Sequence, residues 1–308
     1  MPDMPTNRAG GDPLALGALL LLGLIWSVGL PFAKLASNHA IPVLGYLAWV
    51  TTGGAILLGA VCRAKGLRLA YDRHSLFYYL LAGLFGHAAP QLNIFIATAH
   101  APVTSVSIVI TSTPILTYFF ALLLGMERLH PLRLLGVASG IAGALLILLP
   151  KAALPDPSVA FWVLIAFGTP LFYSLSNVAL VRFKPPAIHP LTSAFGMMAT
   201  AALALWPAAF LLGEVYLPDL AHLNPGDFAL IGQSLLSGIG YIFFFFIIHR
   251  AGPVYLTMVS FIVLGLATAW GVIFFAERPT IWYAAAVVCV VIGVVLIQRT
   301  AGSTRTQG

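Results

Sequence analysis

Apolar runs of about 20 residues recur along almost the whole chain, each long enough to cross a hydrocarbon core. Stretches such as VLIAFGTPLFYSLSNVALV and FFFFII lack the polar outer stripe of a water-soluble amphipathic helix. The pattern predicts ten membrane-spanning helices, at 14–36, 41–61, 76–98, 102–124, 132–150, 158–181, 190–212, 228–249, 254–275 and 280–298. The third and eighth are the most interrupted, by His87, Gln91 and Asn93 and by Gln233 and Ser237. A transmembrane β-barrel would alternate in segments of about ten residues and does not fit. The expected class is an all-α membrane protein. The leader MPDMPTNRAGGDP is too polar for a cleaved signal peptide and no small-residue cleavage site follows, so the first run is expected to be the first transmembrane helix.

Composition sharpens this reading. With 60% hydrophobic and 8% charged residues among 308, and a mean hydropathy of +0.99, too few polar side chains exist to cover a soluble body. If the N-terminus is cytoplasmic, the inside loops collect 12 of the 15 Lys and Arg, leaving Lys34, Lys151 and Arg278 outside. That bias predicts a multi-pass protein with both termini inside. The net charge of +6 then reads as membrane anchoring, with no nucleic-acid partner. Cys62 and Cys289 suggest neither a disulfide framework nor a metal site. His100, His189 and His249 are scattered, and no Gly-rich loop with Lys-Ser/Thr occurs, so neither a metal, a cofactor nor direct ATP use is expected.

The chain also reads as one unit written twice. Glu127 and Glu277 lie 150 residues apart; each ends an apolar run, and a basic residue and a Pro-containing start follow. Pro102 and Pro253 are expected to open the fourth and ninth helices, where a missing N–H costs least. Lys34 at the end of helix 1 matches Arg182 at the end of helix 6. The expected organisation is a cytoplasmic segment at 1–13, a five-helix repeat at 14–150, a linker at 151–157, a second five-helix repeat at 158–298 and a cytoplasmic tail at 299–308. Five crossings reverse the chain, so the halves have opposite topology, and two exchangeable packings of such halves give alternating access.

The phrases LLLGMERLHPLRLLGVASGIAGALLIL, FFAERPTIWYAAAVVCVVIG and ATAHAPVTSVSIVITSTPILTYFF resemble the drug/metabolite transporter superfamily, specifically its duplicated EamA-type members, over roughly residues 14–298. In that family a short Glu-containing signature ends helices 4 and 9, and a proline inside helix 4 matches Pro114. Leu264 or Gly265 stands in the corresponding place of helix 9, so the halves differ there. The resemblance points toward bacterial exporters of aromatic and other neutral amino acids.

Polar groups inside spans are costly in lipid and are expected to face a cavity or a partner. His87 and Gln91 share a face of helix 3, continued by Thr98; an offset of 150 places Ser237 and Tyr241 on the matching face of helix 8, one turn after Gln233. Trp26, Tyr78, Tyr173, Asn177 and Trp270 complete the candidate lining of a pathway formed by helices 1, 3, 4, 6, 8 and 9. The bland reading is that such groups join helices by hydrogen bonds. Pro31 and Pro170 are candidate bending points, and Lys34 is a candidate attractor of a carboxylate or an interfacial anchor. His87, the one histidine deep within an expected span, is the first candidate for proton exchange; Glu127 and Glu277 are further candidates, but their positions beside Arg128 and Arg278 favour an ordinary ion pair or helix cap. Gly136, Gly140 and Ala144 on helix 5, with Ala285 and Gly293 on helix 10, suit a supporting or subunit contact, with monomer and homodimer both open.

The leading expectation is therefore a non-enzymatic secondary exporter of small metabolites, aromatic and neutral amino acids first among them. Aromatic walls with uncharged hydrogen-bonding groups suit such molecules. Export of cationic drugs is the alternative, although no Asp or Glu lies deep within an expected span. A membrane enzyme acting on lipid-linked substrates would have only Asp72, Arg73 and His74 as a compact polar set.

Overall fold

The computed structural model describes residues 13–126, 129–148, 159–186, 188–256 and 259–301. Glu127, Arg128 and the linker at 151–157 lie outside the described residues, as do most of the two terminal segments. Every regular element described is helical, because a chain in lipid must satisfy its backbone groups within each segment. In chain order the helices are α1 (Pro13–Ser27), α2 (Gly29–Asn38), α3 (Val43–Ala64), α4 (Arg73–Gly83), a π-helical turn (Leu84–Ala88), α5 (Ala89–His100), α6 (Val103–Thr111) and α7 (Thr113–Leu123). Then come α8 (Pro131–Leu148), α9 (Val159–Ala166), α10 (Gly168–Arg182), α11 (Pro190–Leu211), α12 (Pro225–Leu256), α13 (Val259–Phe275) and α14 (Ile281–Ala301).

Among the described residues, seven helical runs are long and apolar enough to cross a membrane: α1–α2, α3, α4–α5, α6–α7, α9–α10, α11 and α12 as far as Phe244. Shorter apolar stretches lie in α8, α13 and α14. The protein is an all-α, multi-pass membrane protein. One expected boundary is corrected. Helix α12 runs on through Leu256, so Pro253 falls within a helical run and does not open the next one. The fixed φ of proline is itself helical, so it permits continuation at the cost of one backbone bond. Pro102 does sit at a helix start, with extended backbone immediately before Val103.

Prolines mark most of the interruptions within spans, since each leaves the carbonyl four residues earlier without its N–H partner. The α1–α2 break falls at Val28 ahead of Pro31, the π-helical turn precedes Pro90, the α6–α7 break is at Ser112 beside Pro114, and the α9–α10 break is at Phe167 ahead of Pro170. At the third of these, Thr113 Oγ1 donates to the freed carbonyl of Ile110 at 2.6 Å.

Helix α3 packs against α11 and α12, α1 against α12 and α13, and α8 against α14. The last pair is close because its contact residues are small. A Cβ on Gly293 would stand 2.6 Å from the Gly136 carbonyl oxygen, and one on Gly143 would stand 3.0 Å from that of Ala286. Ser139 Oγ adds a bond of 2.7 Å to the carbonyl of Cys289. The small-residue stripes of these two helices are thus used against each other. At one end of the molecule the 212–227 segment covers the start of α3: Glu214 Oε2 accepts from the Leu44 N–H at 3.2 Å, and Trp49 Nε1 donates to the Tyr216 carbonyl at 2.8 Å.

Candidate functional site

The π-helical turn ahead of Pro90 carries His87 into the interior, where its side chain is 2% exposed. Such turns insert an extra residue and re-aim the side chains they carry. His87 Nδ1 lies 3.3 Å from the Tyr241 hydroxyl of α12, while its Nε2 is buried with no partner among the described residues. Ser176 Oγ on α10 is buried and equally unpartnered. Gly86 lies against it: a Cβ there would stand 2.7 Å from Ser176 Oγ. The π turn and α10 thus each carry a buried polar group without a partner among the described residues, and the two segments pack closely at Gly86.

An aromatic group borders this point. The Tyr241 ring lies 6.0 Å from that of Trp26 and 5.9 Å from that of Phe244, and Trp26 lies 5.7 Å from Phe244. Gly240 makes room for the indole, since a Cβ there would be 2.8 Å from Trp26 Nε1. Helix α10 contributes Tyr173 and Asn177. Tyr173 is half-buried on that helix, while Asn177, like Leu171 and Leu175, is exposed. Chemically, the imidazole and the serine hydroxyl can each donate or accept a hydrogen bond, next to flat apolar walls.

The other residues expected to line a pathway are distributed differently. Gln91 is half-buried without a hydrogen-bond partner among the described residues. Tyr78 is buried near the start of α4, edge-on to Tyr79. Gln233 Oε1 accepts from the Tyr46 hydroxyl at 2.7 Å, and Ser237 Oγ reaches the Val50 carbonyl at 3.2 Å, so both join α12 to α3. Thr98 bonds back to the carbonyl of Ile94 on its own helix. Trp270 Nε1 donates to Ser27 Oγ at 3.0 Å and ties α13 to α1. Asn93 bridges α5 to the α9–α10 break, donating to the Ile165 carbonyl at 2.9 Å and accepting from Thr169 Oγ1 at 2.7 Å. Sequence reasoning did not foresee that bridge; a polar residue facing a proline-broken span was its only signal.

A second constellation lies at the end where α2, α6 and α13 meet. Ala276 adopts a left-handed φ of 51° after α13, and the Glu277 N–H returns to the Gly271 carbonyl at 3.2 Å. The Glu277 carboxylate then accepts from Lys34 Nζ at 2.9 Å, from the Val103 N–H at 2.7 Å and from the Thr104 N–H at 2.9 Å. It is 8% exposed and Lys34 18%. The carboxylate satisfies two of the open donors of α6 and sits at the positive end of that helix. Arg278, expected as the neighbouring ionic partner, is exposed, and Lys34 takes its place because the reversed turn points Glu277 inward. Its repeat counterpart, Glu127, lies outside the described residues.

Asp72, Arg73 and His74 form a helix start. Asp72 Oδ1 accepts from the His74 N–H at 3.1 Å and the Ser75 N–H at 3.0 Å. Hydrogen bonding from Ser75 holds its carboxyl below the ordinary value of 3.8. No group of three or more His, Cys, Asp or Glu among the described residues is arranged to hold a metal ion.

Two stretches of the chain, residues 13–149 and 160–299, each match the EamA-like transporter family. A solved crystal structure, described only as that of a protein, is similar over 97% of this chain and 100% of its own, with 23% identity and a TM-score of 0.63. That likeness shows a shared fold. No curated protein matches the chain.

Proposed function

The chain belongs to the EamA-like transporter family, and from that premise we propose that it exports small neutral metabolites, aromatic and other neutral amino acids first among them, across a bacterial inner membrane. The transport reading follows from the family: the protein is a secondary transporter and not an enzyme. The proposed mechanism is alternating access between two five-helix halves of opposite topology, 14–150 and 158–298, joined by the linker at 151–157, with both termini cytoplasmic. The double family match supports the duplication, and the bias of Lys and Arg supports the orientation.

The observation that supports the substrate class is the pair of buried atoms His87 Nε2 and Ser176 Oγ, without partners among the described residues, with the His87 ring against Tyr241 and Tyr241 in turn against Trp26. A buried polar group left without a partner is costly, so a ligand that supplies one gains directly. The polar end of the substrate bonds His87 and Ser176 while its apolar part lies against Trp26, Tyr241 and Phe244. Tyr173, Asn177 and Gln91 line the polar approach. Pro31, Pro114 and Pro170 bend the helices that move, and Lys34 with Glu277 closes one mouth. Proton coupling remains a property for the flux assay to score.

Proteoliposomes containing the purified chain are tested with labelled Trp, Phe, Met, Thr, Lys and Glu, with and without a pH gradient. Saturable flux of the neutral or aromatic amino acids is expected. Absence of flux for all six, with demonstrably folded protein, overturns the amino-acid assignment; flux confined to Lys redirects it to cations.

A further inference from the structure

The two ends of the molecule carry unlike charge. Among the described residues, the end at which α3 and α10 finish holds Arg63, Lys65, Arg68, Arg73, Arg182 and Lys184, all exposed. The one described carboxylate among them, Asp72, is engaged in capping α4. The opposite end, around Lys34 and Arg278, holds Glu214, Asp219, Asp227 and Glu277. The six cations come from segments distant in sequence, and the edge-on contact of Phe77 with Phe183, 5.8 Å between ring centres, brings the two groups together. Both rings are partly exposed, as is Leu76, and Tyr71 is 73% exposed. Cations above a sill of exposed aromatic and aliphatic side chains match the boundary between headgroups and acyl chains, where aromatic rings settle and basic side chains reach upward to anionic groups.

We propose that this surface, built from the α3–α4 connection and the end of α10, is a binding site for the headgroup of an anionic phospholipid. The bound lipid joins the chain's two halves at one membrane face, because its phosphate bridges Lys65, Arg68 and Arg73 on one side and Lys184 on the other. Glycerophospholipid is the committed occupant: the exposed aromatic sill would have no contact with a free phosphate and lies where acyl chains begin.

Native mass spectrometry of the full chain from mixed phosphatidylglycerol and phosphatidylcholine tests this. The wild type is expected to retain phosphatidylglycerol preferentially. The triple variant Lys65→Gln, Arg68→Gln, Lys184→Gln should lose that preference, with retention falling roughly fivefold for each cation removed. Arg68→Gln alone, which leaves most of the surface intact, should show a partial loss and guards against misfolding of the triple variant. Arg278→Gln, at the opposite end, should behave as wild type. Unchanged preference in the triple and single variants overturns the site, as does an equal loss in Arg278→Gln. Displacement of the lipid by millimolar glycerol phosphate overturns the lipid assignment. Amino-acid flux is not a readout here, so failure of the substrate proposal leaves this result untouched.

Discussion

Lys34 on α2 and Glu277 beyond α13 stand 243 residues apart in sequence, and their side chains meet with Nζ 2.9 Å from Oε1. Through the same carboxylate they also hold the Val103 and Thr104 N–H groups at the start of α6. One side chain therefore fastens three helices at a single end. If this end is the mouth proposed above, its opening gives up a charge pair and two charge-assisted backbone bonds together, and closure is then two-state in character.

Removing either partner from such a pair leaves the other charge poorly compensated. Glu277→Gln is expected to lower unfolding free energy by about 3 kcal/mol, the usual scale for breaking one side of a largely buried pair. Lys34→Met should cost less, because the carboxylate keeps its two backbone donors. The double variant should be more stable than the sum of the singles predicts, by about 1–2 kcal/mol of coupling. Thermal unfolding of the four proteins in one detergent measures the cycle; strict additivity would show that the pair contributes no mutual stabilisation.

Asp72 gives a pH dependence whose sign follows from its depressed carboxyl. A group held lower in the folded state than its ordinary 3.8 stabilises fully above that value, and the contribution is lost as pH falls through the folded value. Acidification below about pH 4 should therefore loosen the start of α4. Asp72→Asn keeps an acceptor at the helix start and should remove this acid-dependent component. Hydrogen exchange at the Ser75 and Leu76 amides between pH 3 and pH 5 reports it: the wild type should lose protection relative to the variant as pH falls, after correction for intrinsic exchange.

The all-α, multi-pass character of the chain was legible because apolar runs are a property of consecutive residues. Most observed helical runs end within a few residues of their expected limits, and the 249–254 boundary failed because proline is a weaker stop than a polar loop. The site was legible only in part. Gln233 and Ser237 had the composition of pathway residues, yet the groups they meet, Tyr46 and the Val50 carbonyl, lie 187 residues away in sequence, and no local pattern reveals that. Glu277 shows the same limit: its capping role could be read from its place at a helix end, but its partner could not, because a left-handed Ala276 turns it away from Arg278. His87 stood out because an ionisable group within a long apolar run is conspicuous, and Ser176 was legible as one of the polar residues of its span, whereas its close approach to Gly86 was not.

The Tyr241 hydroxyl is the one described partner of His87. Tyr241→Phe keeps the ring against Trp26 and Phe244 and deletes that partner, so stability should fall by only about 1 kcal/mol. Flux should fall more steeply, about tenfold, because the imidazole loses the bond that fixes its tautomer and orientation. Initial rates over a concentration series in proteoliposomes, beside a melting curve of the same preparation, separate the two effects. A loss of flux no larger than the loss of folded protein would return Tyr241 to the role of a packing residue.

Ser176 offers a sharper separation, because its two expected effects have opposite signs. Ser176 is 3% exposed and its hydroxyl has no partner among the described residues, a situation that costs about 1–3 kcal/mol. Ser176→Ala deletes that unsatisfied group with almost no change of volume, so the variant should unfold at a higher temperature than the wild type, by an amount equivalent to about 1 kcal/mol. If the hydroxyl meets the polar end of the substrate, the same change should weaken half-saturation of flux three- to tenfold, about 0.7–1.4 kcal/mol of binding. A purely structural serine would move the melting temperature and leave half-saturation where it was. A serine that joins helices through a bond would make the variant less stable. Only a group held open for a ligand predicts a gain in stability together with a loss in affinity, the pattern expected where function is maintained against the stability of the empty fold.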